Sequence, residues 1–376
     1  MVSHARGDDD RLVIVLVAPD SFKGSLTSVQ VARALADGWL RARPDDEILL
    51  CPLADGGEGT LEAVAAAGGW RWQEAEATDP LGRPIQARWL LSTDGARAVI
   101  EMAESSGLSR VAQDERDPIH ATSRGLGDVL RTVAGLGIHD LTLGIGGSAT
   151  TDGGRGLIAG LGAEVHDGLD GVTKLRLGFG EVDLQVACDV SNLLLGEAGA
   201  AAVYGPQKGA TRDDVAILDR TLAVWADALE AATGRRERDT PGAGAAGGVG
   251  FGLLAIQDAF HSFALRPGVD LIMEATDFDA RLARADLVIT GEGRIDAQTA
   301  FGKTALGVAR RARAAGTPCI AVGGSVEPAG AAALEAVGAA AVPAWESPVP
   351  LAVALAAGAS PLEACGERLA RLDRRS

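Results

Sequence analysis

Apolar residues in this chain gather in short runs that stop at polar, glycine-rich loops, and amphipathic stretches follow the loops. Leu12–Ala18 is one uninterrupted Val/Ile/Leu run, the pattern of a strand buried on both faces. It stops at Pro19-Asp20-Ser21-Phe22-Lys23-Gly24-Ser25. Val29, Ala32, Leu35, Ala36 and Trp39 then recur at helical spacing, with Ser25, Thr27 or Ser28 as caps. Glu47–Leu53 predicts a second strand, the loop Ala54–Thr60 follows it, and an Ala-rich helix covers 61–67.

The middle reads differently. Trp70 to Glu104 alternates in short segments split by turn signals such as Asp79-Pro80-Leu81-Gly82, which predicts β-ribbon. Helices are expected over 122–137 and 211–232, and strands over 140–144 and 182–190. The glycine-alanine tract Thr240–Gly252 could not fold alone, and is expected to wrap a ligand or a helix end. Strand–helix alternation then returns. Leu287–Thr290 is expected to end at Gly291-Glu292-Gly293, Ile320–Val322 to end at Gly323-Gly324-Ser325, and Ala339–Pro343 to form a third strand before a helix from Ala354. Both ends of the chain thus look like βα units. The expected architecture is α/β: a discontinuous, doubly wound Rossmann-like domain from residues 1–76 and 287–376, interrupted by a second α/β domain over 77–286. The active site is expected in the cleft between the two.

Composition narrows the function. The 376 residues are 47% apolar and 23% charged, as in ordinary globular proteins. Asp and Glu number 51 against 35 Lys and Arg, a net charge of −16 with no basic run, which argues against nucleic-acid binding. Cys51, Cys188, Cys319 and Cys365 are widely spaced and form no CxxC pair, so a reduced cytoplasmic chain is expected, with Cys51 and Cys188 simply packing. The seven-residue run Leu12–Ala18 follows three aspartates, unlike a secretory leader, and no run approaches the 18 apolar residues of a membrane span. Only four lysines occur, and Lys23, Lys208 and Lys303 each stand beside glycine.

The loops after the strands carry the chemistry. In open α/β sheets, ligands collect outside the carboxyl ends of the strands, where helix N-termini offer free amides to anions. Five such loops contain carboxylates or hydroxyls: Asp20–Ser25, Asp55–Thr60, Gly146–Gly154, Asp189–Asn192 and Gly291–Lys303. Gly302-Lys303-Thr304 lacks the first glycine of a P-loop, since Ala297 stands there. Gly144–Ala149 fits G-x-G-x-x-A but runs on into Thr150-Thr151-Asp152-Gly153-Gly154 where a helix should begin. Phosphoryl transfer needs cations and amides at the moving phosphate, a metal bridging it, and a carboxylate for the hydroxyl proton. Lys23 and Lys303 suit the phosphate and Asp189 the proton, while Asp55, Glu58, Glu292 and Asp296 suit magnesium or substrate hydroxyls. Helix capping is the competing role for these carboxylates, above all for Asp55 and Asp152. The five histidines have no partner pattern.

Taken together, the segments APDSFKGSLTS from Ala18, PLADGGEGT from Pro52, GIGGSATTDGGRG from Gly144, CDVSNLLLGEAGAAAVYGPQKGA from Cys188, GAGAAGGVGFG from Gly242, GVDLI from Gly268 and ADLVITGEGRIDAQTAFGKT from Ala285 resemble the type-1 glycerate kinase family. The resemblance spans residue 12 to about 326 and implies an ATP- and Mg2+-dependent kinase that phosphorylates D-glycerate, usually at the 2-hydroxyl, in glyoxylate, glycolate or sugar-acid degradation. It also implies two α/β domains and ATP binding without a Walker loop. On that footing Asp189 and Lys23 are the catalytic candidates. Asp20, Ser21, Asp55, Gly56, Gly57, Asn192, Glu292, Arg294 and Asp296 are candidates for the substrate, with Arg294 suited to its carboxylate, and Gly146, Gly147, Ser148, Thr150, Thr151 and Lys303 for ATP. The expected partners are these small molecules, with no nucleic acid or membrane, and a homo-oligomer is left open. Competing readings are a nicotinamide-dependent oxidoreductase built on the Gly144 loop and a non-catalytic sugar-acid binder. Attack through O2 or O3 is undecided, because a rotation of so small a substrate exchanges them.

Overall fold

A computed structural model describes residues 12–165, 172–173, 178–301 and 304–373. Its strands are β1 (Ile14–Val17), β2 (Glu47–Leu50), β3 (Trp70–Thr78), β4 (Pro84–Ser92), β5 (Arg97–Glu101), β6 (Asp140–Gly144) and β7 (Glu164–Val165), followed by β8 (Val172–Thr173), β9 (Phe179–Ala187), β10 (Phe260–Arg266), β11 (Leu287–Ile295), β12 (Cys319–Val326) and β13 (Ala339–Pro343). The chain divides into two compact units. One holds the stretch up to Ala54, Glu62–Gly68 and the chain from Ile272 onward; the other holds Asp55–Leu61 and Gly69–Leu271.

The first unit is built on a five-stranded sheet of order β13-β12-β11-β1-β2, every pairing parallel. In chain order within this unit that is the doubly wound arrangement 2-1-3-4-5, whose direction reverses between β1 and β11. Val15, Leu16 and Val17 are fully buried, as a central strand covered on both faces requires. Thr27 caps the helix Ser28–Ala42 through a capping box with Gln30, which ends the Asp20–Ser25 loop sharply. Val31, Leu35 and Trp39 of that helix join Val15, Val17, Leu287, Ile289, Leu362 and Leu369 in one core.

The second unit carries a six-stranded sheet of order β10-β9-β6-β5-β4-β3. The pairings from β10 to β5 are parallel, and those from β5 to β3 form the antiparallel ribbon that the alternation over 70–104 predicts. Register aligns Glu101 with Gly144, Gly144 with Ala187 and Ala187 with Arg266, so four parallel strands end level with one another. Thr211 caps the helix Arg212–Thr233 through a box with Asp214, and Leu218, Leu222, Trp225 and Leu229 face the core.

The glycine signals mislead in two places. Glu292–Ile295 and Gly323–Val326 continue their strands, with Glu292 registered on Gly323 and Ile295 on Val326, rather than forming loops. The glycines answer close contact there: a Cβ on Gly291 would lie 2.4 Å from the Val322 carbonyl oxygen. The 240–252 tract likewise contains helix. Ala245–Ala255 is helical after a left-handed turn at Ala246, Gly247 and Gly248, and almost all of it is buried. A helix apolar on every side has no amphipathic period to detect.

Candidate active site

Two of the five chemistry-bearing loops lie in the first unit, at the β1/β11 switch point. The Asp20 amide donates to the Gly291 carbonyl (2.8 Å), and a Cβ on Gly293 would stand 3.5 Å from the Lys23 backbone nitrogen, so the loop after β1 runs beside the end of β11. Asp20 is buried; its Oδ1 accepts from the Ser21 amide (2.6 Å) and its Oδ2 from the Thr304 hydroxyl (2.6 Å). Buried Glu292 accepts from the Thr299 hydroxyl (2.5 Å), whose oxygen in turn accepts from the Asp296 amide (3.1 Å). Lys23 is exposed, and Ser21 is half-buried. Arg294 is 63% exposed and ion-paired with Glu327 (2.5 Å) and Asp296 (3.3 Å). Gly302 and Lys303 lie outside the described residues.

The other three loops meet in the second unit, past the level ends of β5, β6, β9 and β10. The Gly146 amide donates to the Gly56 carbonyl (3.0 Å), and a Cβ on Gly146 would lie 2.6 Å from the Gly57 Cα. Two backbones touch there with no side chain between them. Asp55 Oδ1 accepts from the Gly57 amide (3.1 Å), fixing the turn. Asp189, two residues past β9, accepts from the Gly268 amide through Oδ1 (2.8 Å), and the same Gly268 lies against the Asp55 carbonyl. Asn192 is used internally: its amide nitrogen donates to the Ala198 carbonyl (2.8 Å), and its Oδ1 accepts from the Tyr204 hydroxyl (2.7 Å).

Asp152 holds the loop rather than facing a ligand. It accepts from the Ser123 amide and hydroxyl and from the Gly154 and Gly156 amides, capping the helix Arg155–Gly160. Ser148, Thr150 and Thr151 are buried, and among the described residues the hydroxyls of Thr150 and Thr151 have no hydrogen-bond partner. Buried hydroxyls without internal partners suit a bound anion.

Beside these loops, buried Glu101 and Lys208 go unassigned by sequence reasoning. Glu101, at the tip of β5, accepts from the Gly59 and Leu61 amides (3.1 and 3.0 Å) and anchors the Asp55 loop to the sheet. Its signal is a carboxylate closing an apolar strand. Lys208 is 1% exposed, and its ammonium donates to Ser148 Oγ (2.9 Å) and the Thr150 carbonyl (2.5 Å). Burial pushes its pKa down to about 7, against the opposing pull of Asp152. Its scarcity among lysines and its glycine neighbour were the available signals. Cys188 is half-buried; burial raises its thiol above the usual range, so it stays a packing residue. No described helix is long and apolar enough to cross a membrane.

Comparison with known proteins agrees on one family. Residues 15–374 match the glycerate kinase family. A glycerate kinase of Bacillus subtilis (strain 168) is 43% identical over 334 residues, covering 83% of this chain and 85% of the relative. A glycerate 2-kinase of Escherichia coli (strain K12) is 39% identical over 332 residues, covering 83% and 85% respectively. A crystal structure of a protein assigned as glycerate kinase 2 from Salmonella typhimurium LT2 superposes with a TM-score of 0.81 at 38% identity, covering 96% of this chain and 98% of that one.

Proposed function

The chain belongs to the glycerate kinase family, and we propose that it transfers the γ-phosphate of MgATP to the 2-hydroxyl of D-glycerate, giving 2-phosphoglycerate and ADP. The carrying observation is Asp189: a carboxylate just beyond a parallel strand, steadied on one oxygen by the Gly268 amide and neighbouring the Asp55 turn. In this reading Asp189 accepts the hydroxyl proton as the substrate oxygen attacks the γ-phosphorus. The bond to the β,γ-bridging oxygen breaks, and ADP departs. Lys23 offsets the charge of the transferred group, and the hydroxyls and amides from Gly146 to Thr151 take the remaining phosphate oxygens. Asp20, Ser21, Asp55, Gly56, Gly57, Asn192, Glu292, Arg294 and Asp296 stay assigned to the substrate and Lys303 to ATP.

Magnesium fits this arrangement as an ion carried on the nucleotide. Among the described residues no group of three or more His, Cys, Asp or Glu forms a cage, and magnesium binds through phosphates, waters and one or two carboxylates. Asp55, Glu58, Glu292 and Asp296 are the carboxylates that could hold it or the substrate hydroxyls; when bound, it would neutralise charge on the phosphates. The reaction belongs after steps that yield glycerate, as in glyoxylate, glycolate or sugar-acid degradation in the cytoplasm. Phosphorus NMR of the product from D-glycerate and MgATP tests the reading. A 2-phosphoglycerate resonance is expected; 3-phosphoglycerate would move the attack to O3, and no phosphomonoester would overturn the assignment.

A further inference from the structure

We propose that Lys208 is a positioning residue for nucleotide phosphate, acting through Ser148. The inference rests on the assignment of Gly146–Thr151 to ATP. An ammonium has three donors and no acceptor, so it forces Ser148 Oγ to accept. The single hydroxyl hydrogen of Ser148 is then left to donate elsewhere, and an anionic phosphoryl oxygen is the acceptor it suits. The second ammonium bond, to the Thr150 carbonyl, fixes the adjacent turn, where the buried hydroxyls of Thr150 and Thr151 have no partner among the described residues.

The surrounding backbone is shaped to admit this side chain. Gly247 adopts φ +69, and a Cβ there would lie 2.8 Å from Lys208 Nζ and 1.9 Å from the Thr150 oxygen. The left-handed turn at Ala246–Gly248 thus leaves room for the lysine tip against the Ser148–Thr150 loop. Merely filling the space would be done better by a leucine or methionine, because an ammonium loses its hydration on burial. Charged groups near it are Asp152, on the loop it grips, and Arg116, whose guanidinium donates to the Gln207 carbonyl next door. A neutral amine gains a lone pair and can accept the Ser148 hydrogen, which would withdraw that hydrogen from phosphate.

Calorimetric titration of MgATP and, separately, of D-glycerate into the full-length protein, Lys208→Met and Ser148→Ala tests this, with circular dichroism confirming the fold. Expected is a Kd for MgATP at least tenfold weaker in each variant and a Kd for glycerate within twofold of wild type. Combining the two changes should add less than threefold to either alone. Should Lys208→Met fail to fold, Ser148→Ala decides. The weakening of its MgATP affinity relative to wild type should be larger at pH 6 than at pH 8.5, since the nucleotide's own titration is common to both proteins. Unchanged MgATP affinity in Ser148→Ala, or equal weakening of both ligands in a folded variant, overturns the proposal. Wild-type protein that binds MgATP yet forms no phosphoglycerate would instead defeat the kinase reading, leaving these affinities to judge Lys208.

Discussion

The Gly268 amide donates to Asp189 Oδ1 at 2.8 Å, tying the loop after β9 to the loop after β10. Gly268 also presses on the Asp55 turn: a Cβ there would lie 2.0 Å from the Asp55 oxygen and 3.0 Å from Asp189 Oδ2. Gly268→Ala must therefore displace one backbone or the other. We expect a loss of about 1–3 kcal/mol of stability from the overpacking, with kcat/KM for glycerate down by about tenfold or more. Urea unfolding beside an ADP-release assay checks both. Full activity in a destabilised variant would detach Asp189's placement from the reaction.

Asp189→Asn isolates the chemistry from the geometry. The asparagine oxygen still accepts from Gly268 but no longer takes a proton, so kcat should fall by about 10²-fold or more with the melting temperature essentially unchanged. Steady-state kinetics with saturating glycerate read this directly; wild-type kcat would remove Asp189 as the base.

Lys23 is exposed at the β1 loop, so its removal should leave the buried core intact. Lys23→Met is expected to lower kcat about 10²-fold with thermal unfolding unaltered. Retained turnover would mean the phosphate charge is met elsewhere.

Much of this frame is legible in the sequence because burial and period agree. Leu12–Ala18 announces β1, Asp140–Gly144 is β6 to the residue, and the heptad-like spacing from Val215 to Leu229 marks the long helix. Glycine defeats the same reading where it serves contact rather than a turn, as at Gly291 and Gly323, whose strands run on for several residues. The Ala245–Ala255 helix carries no period because every side of it is buried. At the site, the loops after the strands stand out by composition, while Glu101 and Lys208 do not. Their importance comes from partners 40 and 60 residues away, a separation that spacing rules do not reach.

Arg294 bears on substrate recognition. It is engaged by Glu327 and Asp296, both anionic, so a glycerate carboxylate would compete for it. If it grips the substrate, Arg294→Ala should raise KM for glycerate about tenfold with KM for ATP unchanged, and Glu327→Ala should lower the glycerate KM by releasing the guanidinium. Initial-rate measurements across both substrates separate the outcomes. No change in either variant would hand the carboxylate to backbone amides of the loops after the strands.

Lys208 should write a pH dependence into stability. Its folded pKa is pushed to about 7 from an ordinary 10.5, chiefly by burial. Below about 7 both folded and unfolded chains hold the proton, and stability does not vary with pH on its behalf. Between about 7 and 10.5 the unfolded chain holds a proton that the folded chain lacks, so raising the pH favours folding, by at most about 1.4 kcal/mol per unit. Above both values the dependence ends. Urea unfolding of wild type and Lys208→Met at pH 6, 7, 8 and 9 gives the contrast, because titrations shared by the two proteins cancel. The stability of wild type relative to the variant should stay level up to about pH 7 and climb beyond it. A constant difference across the range would mean that the buried amine keeps its proton, held there by Ser148, the Thr150 carbonyl and Asp152.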